Sequence, residues 1–277
     1  MNMAQALILA LIQGATEFLP VSSSGHMALG GKLVGLPQAP LDFVVATHFG
    51  TLLAVLAYYR HDLLAMLRAV FAPKSGDPES DDAPSPADYR RLFGNLILAS
   101  IPAAIAGVLL EDHIDAAFGD IRLVGLALIV TATLLAVSSR RNGPLDLRET
   151  TWKHALRVGV WQAIALVPGI SRSGSTIAGG LLSGFSRQWA PRFAFLMSIP
   201  VVLGGTFFEA RKLFSGGMEA GFDPVIYGVA TLVAAVVGYL SILLVIDSVR
   251  RGNLLYYGAY CLAVGLVAIA TGFFVTP

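Results

Sequence analysis

P-V-S-S-S-G-H at positions 20–26 and P-G-I-S-R-S-G-S-T at positions 168–176 break two long apolar stretches, near 4–36 and 156–186, close to their middles. Neither stretch reads as a simple membrane span. A proline stops a helix, and serines cap the start of the next one. Non-helical backbone at membrane depth survives only where protein buries it or where it lines a wet cavity. Both stretches are therefore expected to form re-entrant helix–loop–helix hairpins.

Around them lie six apolar runs, about 41–59, 92–110, 122–139, 192–210, 225–247 and 254–275. Each is near the roughly 20 residues that a crossing helix needs. Composition agrees. Of 277 residues, 55% are hydrophobic and 13% charged, the latter about half the roughly 25% of a soluble domain. Mean hydropathy is +0.70. A disordered chain is excluded, and a soluble globular enzyme nearly so. The formal net charge of +1 gives no sign of nucleic-acid binding. One cysteine, Cys261, excludes a disulfide framework and a cysteine zinc site. The N-terminus does not read as a cleavable signal peptide, because it lacks a basic start and runs into Glu17. The polar segment 73–89, with four prolines, reads as a flexible cytoplasmic loop.

Lys and Arg set the orientation. Arg60, Arg68, Lys74, Arg90 and Arg91 crowd one interval, and Arg140, Arg141, Arg148, Lys153 and Arg157 another. Arg187, Arg192, Arg250 and Arg251 fall on the same side. With that side cytoplasmic, only Lys32, Arg122, Arg211 and Lys212 lie opposite, Arg172 being set aside as a site residue. The acidic 111–120 loop is then external, both termini are outside, and the hairpins enter from opposite sides. Ser22-x-Ser24-Gly25 superposes on Ser171-x-Ser173-Gly174, and each hairpin precedes three spans. One integral membrane domain over 1–277 is expected, with repeat 1 at about 1–140 and repeat 2 at about 155–277. The expected fold is an all-α polytopic membrane protein, six transmembrane helices plus two hairpins in an inverted repeat. That arrangement puts a site at the repeat interface. A second echo, S-I-P at 100–102 and again at 198–200, does not fall at equivalent places in those repeats.

Several residues in the hairpins are candidates for chemistry. Gln13 and Glu17 lie four apart, on one helix face. A carboxylate inside a membrane segment is costly and by default functional. Ser22, Ser23 and Ser24 exceed what one helix cap requires. His26, in the first turn of the next helix, suits nucleophilic or acid–base work. Arg172 at a hairpin tip needs an anion, and its fork matches phosphate. An internal salt bridge to Glu17, loosened when ligand arrives, is the other reading of Arg172. Ser171, Ser173, Gly174, Ser175 and Thr176 surround it with hydroxyl and N–H donors. The stretch is not a P-loop, since it lacks the Gly-Lys-Ser/Thr ending. His48, Asp42 and Thr51 are weaker candidates. His61, His113 and His154 read as solvated loop residues, and the Trp and Tyr residues as interfacial anchors. The set fits phosphate chemistry: an Arg and helix N-termini stabilise a transferring phosphoryl group. A carboxylate beside Gln13 could hold a hard divalent ion partly coordinated by phosphate.

Q-G-A-T-E-F-L-P-V-S-S-S-G-H at 13–26 resembles the (E/Q)xxxE motif and serine–histidine segment of the undecaprenyl diphosphate phosphatase family, the bacitracin-resistance type. P-G-I-S-R-S-G-S-T at 168–176 is similar to that family's PGxSRSxxT motif at every fixed position. The similarity runs along about 1–275, the segment 73–89 excepted. The resemblance implies hydrolysis of undecaprenyl diphosphate to undecaprenyl phosphate and inorganic phosphate, recycling the lipid carrier for cell-wall synthesis. It implies a bacterial inner-membrane location, a site open to the periplasm and a divalent cation, Mg or Ca. Carried over, Glu17 and Gln13 are metal or acid–base positions, Ser23 and His26 the nucleophile and its partner, and Arg172 the diphosphate holder. Ser22, Ser24, Ser171, Ser173, Gly174, Ser175 and Thr176 line the pocket. Many members have Glu where this chain has Gln13, so Glu17 is the only strong metal ligand. Attack by Ser23, His26 or water stays open. A polyprenyl-phosphate flippase on an inverted-repeat scaffold is the rival, for which the Glu17 and His26 pair would be surplus. The sequence also leaves open whether two copies pair as a homodimer.

Overall fold

The computed structural model describes residues 1–36, 39–71, 84–118, 120–216 and 223–275. Twelve helices run through them, with no strand among the described residues. In chain order they are α1 Met3–Phe18, α2 Ser23–Leu33, α3 Leu41–Tyr58, α4 Arg60–Phe71, α5 Pro86–Leu109 and α6 Glu111–Phe118. There follow α7 Ile121–Ser138, α8 Trp152–Ile164, α9 Arg172–Leu182, α10 Trp189–Gly216, α11 Pro224–Arg250 and α12 Leu254–Val275. Six of them, α3, α5, α7, α10, α11 and α12, are long and apolar enough to cross a membrane. No more than 44% of each span's apolar window is buried inside the protein. Leu126, Leu203, Leu232, Leu240 and Val267 stand outward on these helices. A surface so apolar is unstable in water and matches hydrocarbon.

The broken stretches form two helix pairs, α1 with α2 and α8 with α9, joined at turns over 19–22 and 165–171. These four helices have 16, 11, 13 and 11 residues. At ~1.5 Å per residue the longest reaches about 24 Å, short of the ~30 Å hydrocarbon core. Pairing in antiparallel sense follows from Pro20 and Pro168, which stop the first helix, and from Ser22 and Ser171, which cap the second.

Each pair packs against the far half of the chain. Helix α1 lies along α11, where Gly14 meets the backbone of Ala234, and α8 lies along α5, where Gly159 meets the backbone of Ala99. Helices α7 and α12 cross at a reciprocal glycine contact. A Cβ on Gly125 would sit 2.8 Å from the Gly265 carbonyl oxygen, and one on Gly265 2.7 Å from that of Gly125. Small residues let helix backbones approach closely in lipid, where apolar burial alone drives no association.

The structure differs from the sequence expectation outside the apolar runs. The segment 60–71 is helix α4, and 111–118 is helix α6 rather than a loop. Consequently His61, His113 and His154 lie in helices, not loops. Of the proposed flexible loop 73–89, residues 73–83 lie outside the described residues, and 86–89 form the first turn of α5. Ser85 and Asp88 make a capping box there, with Pro86 at the first helical position. Proline at that point starts a helix, since its missing N–H is not needed. The repeated S-I-P falls on α5 and α10, which pack against one another. Asp62 of α4 pairs with Arg192 of α10, tying the short helix under the bundle.

The reciprocal glycine contact predicts a contrast between two alanine substitutions. Gly125→Ala overpacks the α7–α12 crossing and costs about 1–3 kcal/mol. Gly94→Ala, at a position with nothing within 4 Å, is neutral or up to about 1 kcal/mol stabilising. Thermal unfolding in detergent checks both; equal midpoints for the two variants would refute the close crossing.

Candidate active site

The two turns face each other inside the bundle. Gly174 lies against Pro20, and Gly25 against Gly169. Ser173 Oγ donates to the Leu19 carbonyl at 2.9 Å, and the Gly169 N–H points to Ser24 Oγ at 3.4 Å. Each turn also carries its own caps. Ser22 Oγ accepts from the Gly25 N–H at 3.3 Å, and Ser171 Oγ from the Gly174 N–H at 3.1 Å. Ser22 sits at φ +73°, and the second turn uses Gly169 at φ +95° instead. A non-glycine residue there is strained and persists only when its surroundings hold it. Here the Ser22 carbonyl receives the His26 Nδ1–H at 2.8 Å.

Two residues on the outer helices hold the turns from behind. Thr131 of α7 donates to the Gly169 carbonyl at 3.3 Å and accepts from the Ser171 N–H at 3.0 Å. Cys261 of α12 points its thiol at the Pro20 carbonyl at 3.6 Å. Pro20 stands two residues before Ser22, as Gly169 stands two before Ser171, so both outer helices grip the matching place in opposite turns.

At the junction, Glu17 at the end of α1 is the hub. Its Oε1 pairs with Arg172 Nη2 from α9. Its Oε2 accepts from Gln13 Nε2 at 2.9 Å and from Ser23 Oγ at 2.8 Å. The Glu17 side chain is 4% exposed and that of Arg172 21%, so the guanidinium is the more open of the two. The backbone N–H groups of Ser23, Ser24, Arg172 and Ser173 have no acceptor among the described residues. These are the orphan donors that two helix starts leave over. Two N-termini, an Arg and several hydroxyls thus converge in one small volume, the arrangement that receives an anion.

Of the residues singled out from sequence, Gln13, Glu17, Ser23 and Arg172 form one bonded cluster. Ser22, Ser24, Ser171, Ser173 and Gly174 build the turns beneath it. Thr176 Oγ1 donates back to the Arg172 carbonyl at 2.9 Å, and the Ser175 hydroxyl is buried without a partner among the described residues. His26 makes no bond to Ser23 or Glu17. Its ring instead stacks on Tyr260 of α12, with centroids 5.5 Å apart, and its Nε2 meets the Tyr260 hydroxyl at 2.7 Å. Tyr260, Thr131 and Cys261 were not identifiable from sequence as site residues. A tyrosine in an apolar run looks like an interfacial anchor, and partners 38 to 241 residues away leave no local pattern.

Comparison with known proteins adds the family. The family model described as bacitracin resistance protein BacA matches residues 6–267. The chain is similar to a protein named undecaprenyl-diphosphatase from Trichlorobacter lovleyi, 41% identical over 98% of this chain and 97% of that one. It is similar to others so named from Desulforapulum autotrophicum, 37% identical over 99% of each, and from Korarchaeum cryptofilum, 37% identical over 98% and 99%.

The pairing of Glu17 with Arg172 predicts a specific pattern in thermal unfolding. Arg172→Met leaves a buried carboxylate without its counter-charge, and breaking such a pair costs about 3–5 kcal/mol. Adding Glu17→Gln to that variant recovers much of the loss. A double variant no more stable than Arg172→Met alone would show that the two side chains do not pair.

Proposed function

The chain belongs to the bacitracin resistance protein BacA family, and from that premise we propose that it hydrolyses undecaprenyl diphosphate to undecaprenyl phosphate and inorganic phosphate. The hydrolysis recycles the lipid carrier for cell-wall synthesis and confers bacitracin resistance. The observation that carries this reading is the Ser23 hydroxyl donating to a carboxylate that Arg172 and Gln13 hold in place. Nucleophile, base and orienting group in bonded sequence are the signature of an activated hydroxyl.

The residues suggest the following course. The terminal phosphate enters beside Arg172, which exchanges Glu17 for phosphate oxygens. The free N–H groups of Ser23, Ser24, Arg172 and Ser173 donate to the remaining phosphate oxygens and stabilise their charge. Ser23 Oγ bonds to the terminal phosphorus as its proton passes to Glu17. The bond from that phosphorus to the bridging oxygen breaks, and the lipid phosphate leaves. Water then attacks the phosphorylated Ser23 and gives up one proton to His26. Glu17 returns its proton to Ser23 Oγ, and inorganic phosphate departs.

A divalent cation, Mg or Ca, is part of the reading. Glu17 and the carboxamide oxygen of Gln13, which accepts no hydrogen bond among the described residues, have the hard-oxygen chemistry such ions prefer. A single carboxylate suits an ion completed by water and substrate phosphates. When bound, the ion neutralises phosphate charge.

The same reading includes an inner-membrane enzyme whose two short helix pairs are re-entrant and whose site opens to the periplasm. The matched grips of Thr131 and Cys261 support an inverted repeat divided near 140–155. That symmetry would also serve a flippase, but a carrier has no use for a hydroxyl bonded to a buried carboxylate.

Phosphate release by the purified protein from a polyprenyl diphosphate in detergent is the direct test. Wild type releases phosphate; Glu17→Ala, Ser23→Ala and chelator abolish release, and Arg172→Lys lowers it by ~10²–10³-fold, since ammonium cannot replace the fork. Full release by Ser23→Ala would transfer the nucleophile to His26 or water. For the topology, a cysteine at the exposed position Asp112 is expected to react with an impermeant reagent in intact cells; its protection would invert the orientation.

A further inference from the structure

The His26–Tyr260 contact lies outside the Glu17 cluster, and its chemistry is constrained from both ends of the ring. Nδ1 faces the Ser22 carbonyl at 2.8 Å. A carbonyl only accepts, so Nδ1 carries the hydrogen, and Nε2 of the neutral ring holds a lone pair. That single in-plane lone pair is met at 2.7 Å by the Tyr260 hydroxyl, which must then be the donor. The rings are nearly parallel, with an interplanar angle of 14°, so the imidazole has little freedom to turn. Tyr260 is itself 47% exposed on α12, whereas His26 is half-buried in the first turn of α2, on the helix start that carries Ser23. Because Tyr260 Oη occupies the lone pair of Nε2, a proton that reaches this nitrogen passes through the phenol oxygen.

We propose that Tyr260 is the entry point of a two-member proton relay, Tyr260 to His26, that serves the water attacking phosphorylated Ser23. This rests on the hydrolase reading above. The attacking water gives one proton to Tyr260 Oη while Tyr260 passes its own hydroxyl proton to His26 Nε2. The hydroxide oxygen bonds to phosphorus, the bond from phosphorus to Ser23 Oγ breaks, and Ser23 takes the proton from Glu17. The phenol ends neutral, and the charge rests on an imidazolium whose Nδ1–H stays on the Ser22 carbonyl and whose Nε2–H now donates to Tyr260. The hydroxyl can donate to the neutral ring and accept from the charged one. The ring thus changes charge without losing a partner in a site where an unpaired polar group is expensive. A phenylalanine at 260 keeps the stacking and loses the relay.

The test uses the full chain in detergent with farnesyl diphosphate as the probe, measuring kcat and KM for wild type, Tyr260→Phe, His26→Gln and the double variant. Each single variant is expected to lose ~10²-fold in kcat, the scale of one acid–base step, with KM within about twofold of wild type. The double variant is expected to be no slower than the slower single, because the two residues act as a unit. Imidazole ¹⁵N spectra of wild type, assigned by loss of the His26 signals in His26→Gln, are expected to show hydrogen on Nδ1. Wild-type kcat in Tyr260→Phe, multiplying losses in the double variant, or hydrogen on Nε2 in wild type would each overturn the relay. The spectra need no folded variant at 260. A wild type that releases no phosphate would instead overturn the hydrolase reading.

Discussion

Glu17 and Arg172 are 155 residues apart and meet as an ion pair where two broken helices end face to face. In a low-dielectric interior, neither charge is tolerable alone. The pair therefore requires that both turns be present, at the same depth and aimed at one another. Most of the architecture follows from that requirement. Helix α1 needs α11 along its length, α8 needs α5, and α7 and α12 need to cross closely enough to place Thr131 and Cys261 behind the turns.

A turn inside a membrane protein must also account for its backbone polar groups. Here side chains from both turns and the outer helices serve four of the turn carbonyls. The Leu19 carbonyl takes Ser173, the Pro20 carbonyl takes Cys261, the Ser22 carbonyl takes His26, and the Gly169 carbonyl takes Thr131. These four carbonyls have donors, whereas the N–H groups of Ser23, Ser24, Arg172 and Ser173 at the two helix starts have no acceptor among the described residues. Those free donors, together with the Arg172 guanidinium, give the junction the chemistry that suits an anion. Because Arg172 is the more exposed member of its pair, ligand can reach it without first uncovering Glu17.

Hydropathy made the six spans legible, because hydrocarbon rewards the same residues along a whole helix wherever its neighbours lie. The two motifs made Gln13, Glu17, Ser23 and Arg172 legible, since polar residues in an apolar stretch need a reason to be there. Helices α4 and α6 were not legible. Their helicity comes from docking at the bundle's edge, as with Asp62 on Arg192, and charged residues there looked like loop. Pro86 looked like a breaker because its reading depends on Ser85 and Asp88 closing a capping box around it. Tyr260 was invisible for a different reason. The ring fits an interfacial anchor, and only the fold brings it across to His26, 234 residues away.

The two turns match in count but not in content, and the mismatch is what makes chemistry possible. Ser22 and Ser171 cap equivalent helices, and the next residue is Ser23 in one and Arg172 in the other. Two arginines would repel, and two serines would leave Glu17 without a counter-charge. The same divergence explains an oddity on α8. Gln13 and Gln162 each stand nine residues before their capping serine, and Glu17 and Leu166 each stand five before it. Gln13 therefore finds a carboxylate one turn on and bonds to it. Gln162 has leucine at that place, and its buried amide has no partner among the described residues. One turn carries the carboxylate and the serine bonded to it, the other carries the cation, and Gln162 stands where Gln13 stands in the first, without a carboxylate one turn on.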